Sequence, residues 1–219
     1  MKYFNLFSKK YKKVLAFDGG GVRAILGVYF LKKLEQESSK SIFESFDLFI
    51  GTSAGATNAL LLGMNGSTIT DLERFWTVDN LKKIMNQSFI DKASIFQTRP
   101  KYSNEGKKEI LKTFFEHRKI GQSLKPVVVT AYDLEARKPI LISSYGDPEV
   151  TAVNAANASS AAPIYFPTAS MEDGRWLIDG GIATNNPSLL GYVEAKKIFS
   201  SNNIKVLGIG AGLNKRKIS

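Results

Sequence analysis

The sequence predicts an α/β fold: a three-layer sandwich with a central, mostly parallel sheet and helices on both faces. Short apolar runs of strand length alternate with longer amphipathic segments along the 219 residues. Glycine-bearing turns follow three of these runs, after Phe17, Ile50 and Ile178. Apolar residues make up 43% of the chain, which is enough for a core. The length favours one domain, covering residues 1–219.

The first two strands each lead through a tight turn into a helix. Residues 14–17 (VLAF) form an apolar run before three glycines, and residues 22–37 then carry apolar side chains at helical spacing. Residues 46–50 (FDLFI) predict the second strand, and the run ATNALLLGM after Gly55 predicts a buried helix. The unit of strand, tight turn and helix therefore occurs twice.

Residues 64–124 interrupt this alternation. The segments near 69–85 and 104–118 are amphipathic and predict two or three helices. We interpret the region as a helical, cap-like insertion over a site. Helices that simply cover one face of the sheet would give the same pattern, and the two interpretations are compatible.

The second half of the chain returns to strands and helices. The β-branched run at 126–131 (PVVVTA) predicts a central strand, and residues 139–144 (PILISS) predict its neighbour. The remaining elements are a helix, a short strand, a helix and a last strand, at residues 149–160, 175–178, 187–199 and 205–209. In mostly parallel α/β sheets, ligand-binding and catalytic sites lie at the carboxyl ends of the strands.

Residue counts exclude several kinds of catalytic site. The chain has no cysteine, which excludes disulfides, thiolate catalysis and cysteine-ligated zinc. Its only histidine, His117, lies in the charged stretch FFEHRK. That position precedes the candidate acid described below, whereas α/β-hydrolases have the order serine, acid, histidine. We therefore expect no histidine base, and we predict no metal and no cofactor.

The formal net charge of +10 favours anionic partners, either nucleic acid or anionic lipid. A basic surface that only keeps the protein soluble fits equally well. No nucleic-acid-binding motif accompanies the charge, so no nucleic-acid partner is predicted. Residues 1–13 alternate aromatic side chains with lysines, which suits a segment lying on a membrane and also a frayed terminus.

No apolar run reaches the length of a transmembrane helix, and the start of the chain lacks the apolar run of a signal peptide. The expected location is therefore cytoplasmic or at the membrane periphery.

The pattern Gly51-x-Ser53-x-Gly55 lies between a predicted strand and a predicted helix. Acyl transfer needs a serine hydroxyl on a sharp turn, and glycines on both sides leave room for a carbonyl group. Ser53 also lies at a helix N-terminus, where the dipole favours developing negative charge. The five-residue motif alone is weak, and its strand–turn–helix context makes Ser53 a candidate nucleophile.

The run Asp18-Gly19-Gly20-Gly21-Val22-Arg23 has two interpretations. As a dinucleotide fingerprint it is poor, because no clear second strand ends in the acidic residue that such a site requires. As an oxyanion hole it fits, because consecutive glycine N–H groups at a helix start can point at one oxygen. Arg23 then either holds a phosphate or orders the loop.

Asp179 is the best candidate for a base. It ends a predicted strand and precedes Gly180 and Gly181, so its side chain is expected at the same sheet edge as Ser53. A carboxylate can act as a general base when it reaches the hydroxyl and its pKa is tuned. Read alone, the sequence Asp-Gly-Gly is an ordinary turn.

The segments DGGGVR, GTSAG and DGG, in this order, resemble the three signatures of patatin-like phospholipases, which are related to cytosolic phospholipases A2. The runs ASSAAPIYFP and DGGIATNNPS also resemble that family, and the resemblance spans about residues 14–212. It implies a Ser53–Asp179 dyad. It also implies an oxyanion hole at the Gly19–Gly21 turn, with donors from the Gly20 and Gly21 backbone and Arg23 nearby. The implied activity is metal-independent lipid acyl hydrolysis.

The leading functional hypothesis is a lipid acyl hydrolase of phospholipase A or lysophospholipase type, acting on lipid at a membrane surface. One alternative is a soluble esterase, thioesterase or acyltransferase that uses the same dyad. Another is a non-catalytic, membrane-binding effector whose catalytic site has lost its activity. Labelling of Ser53 by a fluorophosphonate distinguishes the enzymes from the effector.

Overall fold

A computed structural model describes residues 11–86 and 100–212 of the chain. Its centre is a mixed, seven-stranded sheet with helices on both sides, which confirms the predicted α/β fold class. Most of the predicted basic and aromatic segment at residues 1–13 lies outside the described residues.

The strands form one sheet with a parallel part and an antiparallel part. They are β1 Lys12–Phe17, β2 Leu48–Thr52, β3 Val127–Asp133, β4 Lys138–Ser143, β5 Ala169–Ser170, β6 Trp176–Asp179 and β7 Ile204–Ile209. The order β7-β1-β2-β3 is parallel throughout. The strands β4 and β6 pair antiparallel with β3, and β5 pairs antiparallel with β6. The link from β3 to β4 is far too short for a parallel crossover, so these two strands form a hairpin.

Apart from the one-turn helix at Ile42–Ser45, which was not predicted, the helices lie close to the positions that the sequence predicts. They are α1 Ile25–Ser38, α2 Ile42–Ser45, α3 Ala54–Asn65, α4 Ile69–Phe75, α5 Val78–Ile84, α6 Glu105–Phe115, α7 Ala152–Ser159 and α8 Ser188–Phe199. The amphipathic segment at 69–85 divides into α4 and α5 because Thr77 begins a new helix, its side chain accepting a hydrogen bond from the N–H of Asn80. Across the described residues, no helix combines the length and apolar character needed to cross a membrane.

The sheet is buried on both faces. On one face, α8 packs against β1, β2 and β7, with Ala195 in a cluster that includes Val14 and Ile50. On the other face, α3 packs against β1, β2 and β3. Every residue of α3 from Ala54 to Met64 is buried, as expected for a helix that is apolar nearly all round.

The strands β2 and β6 meet end to end along one flank of β3. Strand β2 pairs with β3 up to Thr52, opposite Thr130, and β6 pairs with the following residues, placing Asp179 opposite Ala131. The hairpin partner β4 occupies the other flank of β3 over this whole stretch. The carboxyl ends of β2 and β6 therefore face each other.

Candidate active site

Ser53 lies in a strained turn between β2 and α3. Its φ of 55° and ψ of −127° are unusual for a residue with a side chain. The turn is also tightly packed, since a Cβ atom at Gly51 would lie 2.3 Å from the carbonyl oxygen of Gly55. A Cβ at Gly55 would lie 2.6 Å from the carbonyl oxygen of Asp18. Both glycines of the motif are therefore required by close backbone approach.

The two residues predicted as a dyad are in direct contact. Ser53 Oγ donates a hydrogen bond of 2.5 Å to Asp179 Oδ2. The other carboxylate oxygen, Oδ1, accepts a 2.7 Å hydrogen bond from the N–H of Gly181. The backbone N–H of Ser53 donates to Ser159 Oγ at 2.9 Å. Both the hydroxyl and the carboxylate are thus held in fixed orientations.

Asp179 is only 6% exposed, and this burial raises the pKa of its carboxyl group above the ordinary value. The hydrogen bonds from Ser53 and Gly181 and the positive charge of Lys107 act in the opposite direction. A carboxylate with a raised pKa is a stronger base than an ordinary one, which suits proton removal from a hydroxyl group.

The glycine loop before α1 lies beside Ser53. Gly20 and Gly21 line the same cavity as Ser53, and Gly21 has a φ of +56°. Arg23 Nε donates a long hydrogen bond, 3.5 Å, to the carbonyl oxygen of Gly20. Gly19 differs, because its N–H donates to the carbonyl oxygen of Asn185 at 2.9 Å. The N–H of Gly19 is therefore already engaged within the protein.

A cavity of about 490 Å³ opens next to Ser53. Much of its lining is apolar and aromatic and comes from α4, α5, α6 and the segment after α7. These residues include Phe75, Trp76, Leu81, Ile84, Met85, Leu111, Tyr165 and Phe166. An apolar cavity of this kind accommodates a hydrocarbon chain. The helices of the 64–124 region thus line the cavity, while the division into domain and cap stays a prediction.

Two parts of the site were not identified from the sequence. Lys107, on α6, lines the cavity although it is only 4% exposed. Ser159 and Ser160, at the end of α7, contact Ser53 and Lys107 respectively. The sequence does contain a signal for Lys107. It shares the apolar stripe of α6 with Ile110 and Leu111, and a side chain in that stripe faces the protein interior.

His117 does not take part in this arrangement. It lies just after α6, is exposed, and is not among the residues that line the cavity. Within residues 11–86 and 100–212, no group of three or more histidine, aspartate and glutamate side chains could hold a metal ion.

Comparison with known proteins gives one consistent result. The family model described as patatin-like phospholipase matches residues 15–190. Patatin-like protein 4 of Arabidopsis thaliana is 30% identical, over 90% of this chain and 54% of its own length. A cGAMP-activated phospholipase of Pseudomonas aeruginosa is 31% identical, over 90% of this chain and 61% of its own length. The chain therefore spans just over half the length of these relatives.

Among solved structures, VipD from Legionella pneumophila has a similar fold. The TM-score is 0.61 and the sequence identity 16%, over 92% of this chain and 50% of VipD. At this identity the similarity concerns the fold alone.

Proposed function

Because the chain belongs to the patatin-like phospholipase family, we propose that it is a lipid acyl hydrolase of phospholipase A or lysophospholipase type. Ser53 is the proposed nucleophile and Asp179 the proposed base. The observation that carries this proposal is the 2.5 Å hydrogen bond from Ser53 Oγ to Asp179 Oδ2, beside an apolar cavity.

In the proposed acylation step, Ser53 Oγ attacks the carbonyl carbon of the fatty-acyl ester, and its proton moves to Asp179 Oδ2. The tetrahedral intermediate then collapses, the bond to the alcohol oxygen breaks, and the protonated Asp179 returns the proton to that oxygen. The products of this step are an acyl-enzyme ester at Ser53 and the free alcohol. In the second step Asp179 takes a proton from water, whose oxygen attacks the acyl carbon. The bond from that carbon to Ser53 Oγ then breaks and the protonated Asp179 returns the proton to Oγ, which releases the fatty acid and restores the dyad.

The developing oxyanion needs hydrogen-bond donors at a fixed position. We assign this role to the backbone N–H groups of Gly20 and Gly21, which line the cavity beside Ser53. Arg23 supports the loop through the carbonyl of Gly20. Gly19 is left out as a donor, since its N–H is bonded to Asn185. Its lack of a side chain instead leaves space for Asn185, because a Cβ at Gly19 would lie 2.5 Å from Asn185 Oδ1.

A lipid substrate and a peripheral membrane location are supported by two surface properties. The cavity lining is mainly apolar, as a fatty-acyl chain requires. Val22, Leu26, Tyr29 and Phe30 are exposed at helical spacing in and just before α1, and Val22 also lines the cavity. An exposed apolar stripe that reaches the cavity at Val22, on a chain with net charge +10, suits an anionic lipid surface.

The test measures how fast the wild type hydrolyses phospholipid vesicles and a soluble short-chain ester. The Ser53→Ala variant is the negative control. We expect release of fatty acid from the vesicles, identified by mass spectrometry of the products, and no release by the variant. Activity on the soluble ester alone, with no gain on vesicles, contradicts the lipid substrate and favours a soluble esterase on the same dyad.

A further inference from the structure

Lys107 is a buried cation that the proposed mechanism does not use. Lysine is almost never fully buried unless it has partners, and Lys107 is 4% exposed. Its Nζ donates to the carbonyl oxygen of Ser160 at 3.1 Å and lies 3.4 Å from Ser160 Oγ. The same Nζ lies 4.0 Å from the centre of the Phe166 ring. The ammonium group is therefore fixed in one place in the wall of the cavity.

The residues on either side of Ser160 hold the two members of the dyad. Ser159 Oγ accepts the 2.9 Å hydrogen bond from the N–H of Ser53. The carbonyl oxygen of Ala161 accepts a 3.1 Å hydrogen bond from the N–H of Asp179. Three consecutive residues thus contact the nucleophile, Lys107 and the base in turn. A group that fixes Ser160 also fixes the segment to which Ser53 and Asp179 are bonded.

The charge of Lys107 acts on Asp179 through the poorly hydrated interior. Each group favours the charged form of the other: Lys107 lowers the pKa of Asp179, and Asp179 raises that of Lys107. Burial is the larger effect on Lys107 and lowers its pKa to about 7. Lys107 is therefore about half protonated near pH 7 and increasingly protonated below it.

Few other charged groups act on Lys107. Lys108, on its own helix, is the second charge that affects its pKa. Helix α7 has no charged residue, and the charged residues of α5, which are Asp79, Lys82 and Lys83, are exposed. The other titratable side chains of the cavity wall are Arg23, Tyr102 and Tyr165.

We propose that Lys107 is a positioning residue of the dyad: its hydrogen bond to Ser160 clamps the Ser159–Ala161 segment, which holds Ser53 and Asp179, and its positive charge favours the ionised form of Asp179. This inference rests on the proposed function of Ser53 and Asp179. It adds that a residue of α6, a helix that lines the cavity, helps to fix the position of the dyad and favours the charged form of Asp179. Lys107 takes no proton from the substrate. It extends to lower pH the range in which Asp179 accepts the proton of Ser53.

The test follows the carboxyl carbon of Asp179 by NMR as a function of pH, in protein labelled with ¹³C-aspartate and assigned with Asp179→Asn. Lys107→Met removes the charge and the hydrogen bonds, Lys107→Gln removes the charge but can still donate to Ser160, and Lys107→Arg keeps the charge. We expect the titration midpoint of Asp179 to rise in the Met and Gln variants and to stay near that of the wild type in the Arg variant.

The pH profile of kcat/KM is expected to change in parallel, with its acidic limb moving to higher pH in the Met and Gln variants. Lys107→Met is also expected to lower kcat on the plateau, by about tenfold, because the clamp on the dyad is lost. The matched control is Lys112→Met, the same substitution at an exposed position of the same helix.

An unchanged or lowered Asp179 midpoint in folded Lys107→Gln overturns the proposal, as does an equal rise in Lys112→Met. The NMR titration does not require turnover. Failure of the proposed hydrolase function, seen as an unreactive Ser53 in the wild type, is therefore distinguished from failure of the Lys107 assignment.

Discussion

The cavity has two unlike walls, which we call the sheet wall and the helical wall. The sheet wall consists of Gly20–Arg23 and Ser53–Ala54, at the ends of β1 and β2, with Asp179 behind Ser53. The helical wall consists of the cavity residues of α4, α5 and α6, which are apolar except for Lys107. The groups that can react are therefore separate from the groups that can select a hydrocarbon chain.

The sheet wall is held by a dense set of hydrogen bonds. The side chains of Thr52 and Thr130 are 2.8 Å apart, and Thr52 also donates to the carbonyl oxygen of Thr184 at 2.9 Å. These contacts tie the end of β2 to β3 and to the turn after β6. In the helical wall, aromatic side chains also pack against each other, as in the edge-to-face contact of Phe75 with Phe114. Because the groups that can react lie in the sheet wall, changes there should alter the rate. Changes at the apolar residues of the helical wall should alter substrate preference, whereas changes at Lys107 should alter the rate.

The largest effect is expected from the dyad itself. Ser53→Ala and Asp179→Asn should each lower kcat by about 10⁴-fold or more, because we propose that they act together as nucleophile and base. The double variant should be hardly worse than either single variant, which steady-state kinetics on one ester can measure. Multiplicative losses in the double variant, or near-normal turnover by Asp179→Asn, would show that the two residues do not act together.

The next largest effect is expected in the glycine loop. A Cβ atom at Gly20 would lie 2.2 Å from Cβ of Ala211, so Gly20→Ala must displace the loop and its backbone donors. Loss of one oxyanion donor typically lowers kcat by about 10²-fold, and we expect a decrease of that order. The double variant Gly20→Ala/Ala211→Gly removes the overlap and should recover most of the rate. A double variant as slow as the single one contradicts this explanation.

A smaller and selective effect is expected in the helical wall. Leu81→Trp adds bulk inside the cavity and should lower kcat/KM for long-chain esters by about tenfold, with little change for short-chain esters. Lys82→Trp adds the same bulk at an exposed neighbouring position and is the control. Kinetics over a series of acyl lengths give the comparison. An equal loss for all lengths would mean that Leu81 does not contact the chain.

The smallest expected effect concerns stability. Burial raises the pKa of Asp179 above 3.8, so the folded state holds this proton more tightly than the unfolded state does. The ionised group therefore reduces stability progressively as pH rises from the ordinary carboxyl range through the raised pKa. Asp179→Asn should increase the free energy of unfolding at pH 7 by about 1 kcal/mol while abolishing activity. The difference should vanish at strongly acidic pH, and denaturant titrations at both pH values measure it.

Local patterns predicted most elements of the fold. The apolar run at 14–17 and the buried helix after Gly55 are found as β1 and α3, because short apolar runs and turn glycines report directly on burial and backbone geometry. The direction of each strand in the sheet is harder to predict from the sequence. The antiparallel β6 could not be inferred from its own four residues, Trp176–Asp179, since pairing depends on which flank of β3 is free.

The candidate site was predictable where single residues carry the chemistry. Ser53 and Asp179 were named from glycine motifs at strand ends, and they are in contact. The sequence predicts that Ser53 and Asp179 meet because both lie at one edge of a mostly parallel sheet. In the structure they meet because β2 and β6 lie end to end along β3, with their carboxyl ends facing each other. Lys107 was not predicted. Its position in the apolar stripe of α6 is visible in the sequence, but only the tertiary structure shows that its partner is Ser160, 53 residues away in the chain.

Intact-mass analysis of the folded protein after reaction with a fluorophosphonate tests most directly whether Ser53 is an activated nucleophile. We expect one adduct on the wild type, located at Ser53 by peptide mapping. No adduct is expected on Ser53→Ala, and strongly slowed labelling is expected for Asp179→Asn. An unlabelled wild type, or equal labelling of wild type and Ser53→Ala, contradicts the proposal that Ser53 is a nucleophile activated by Asp179.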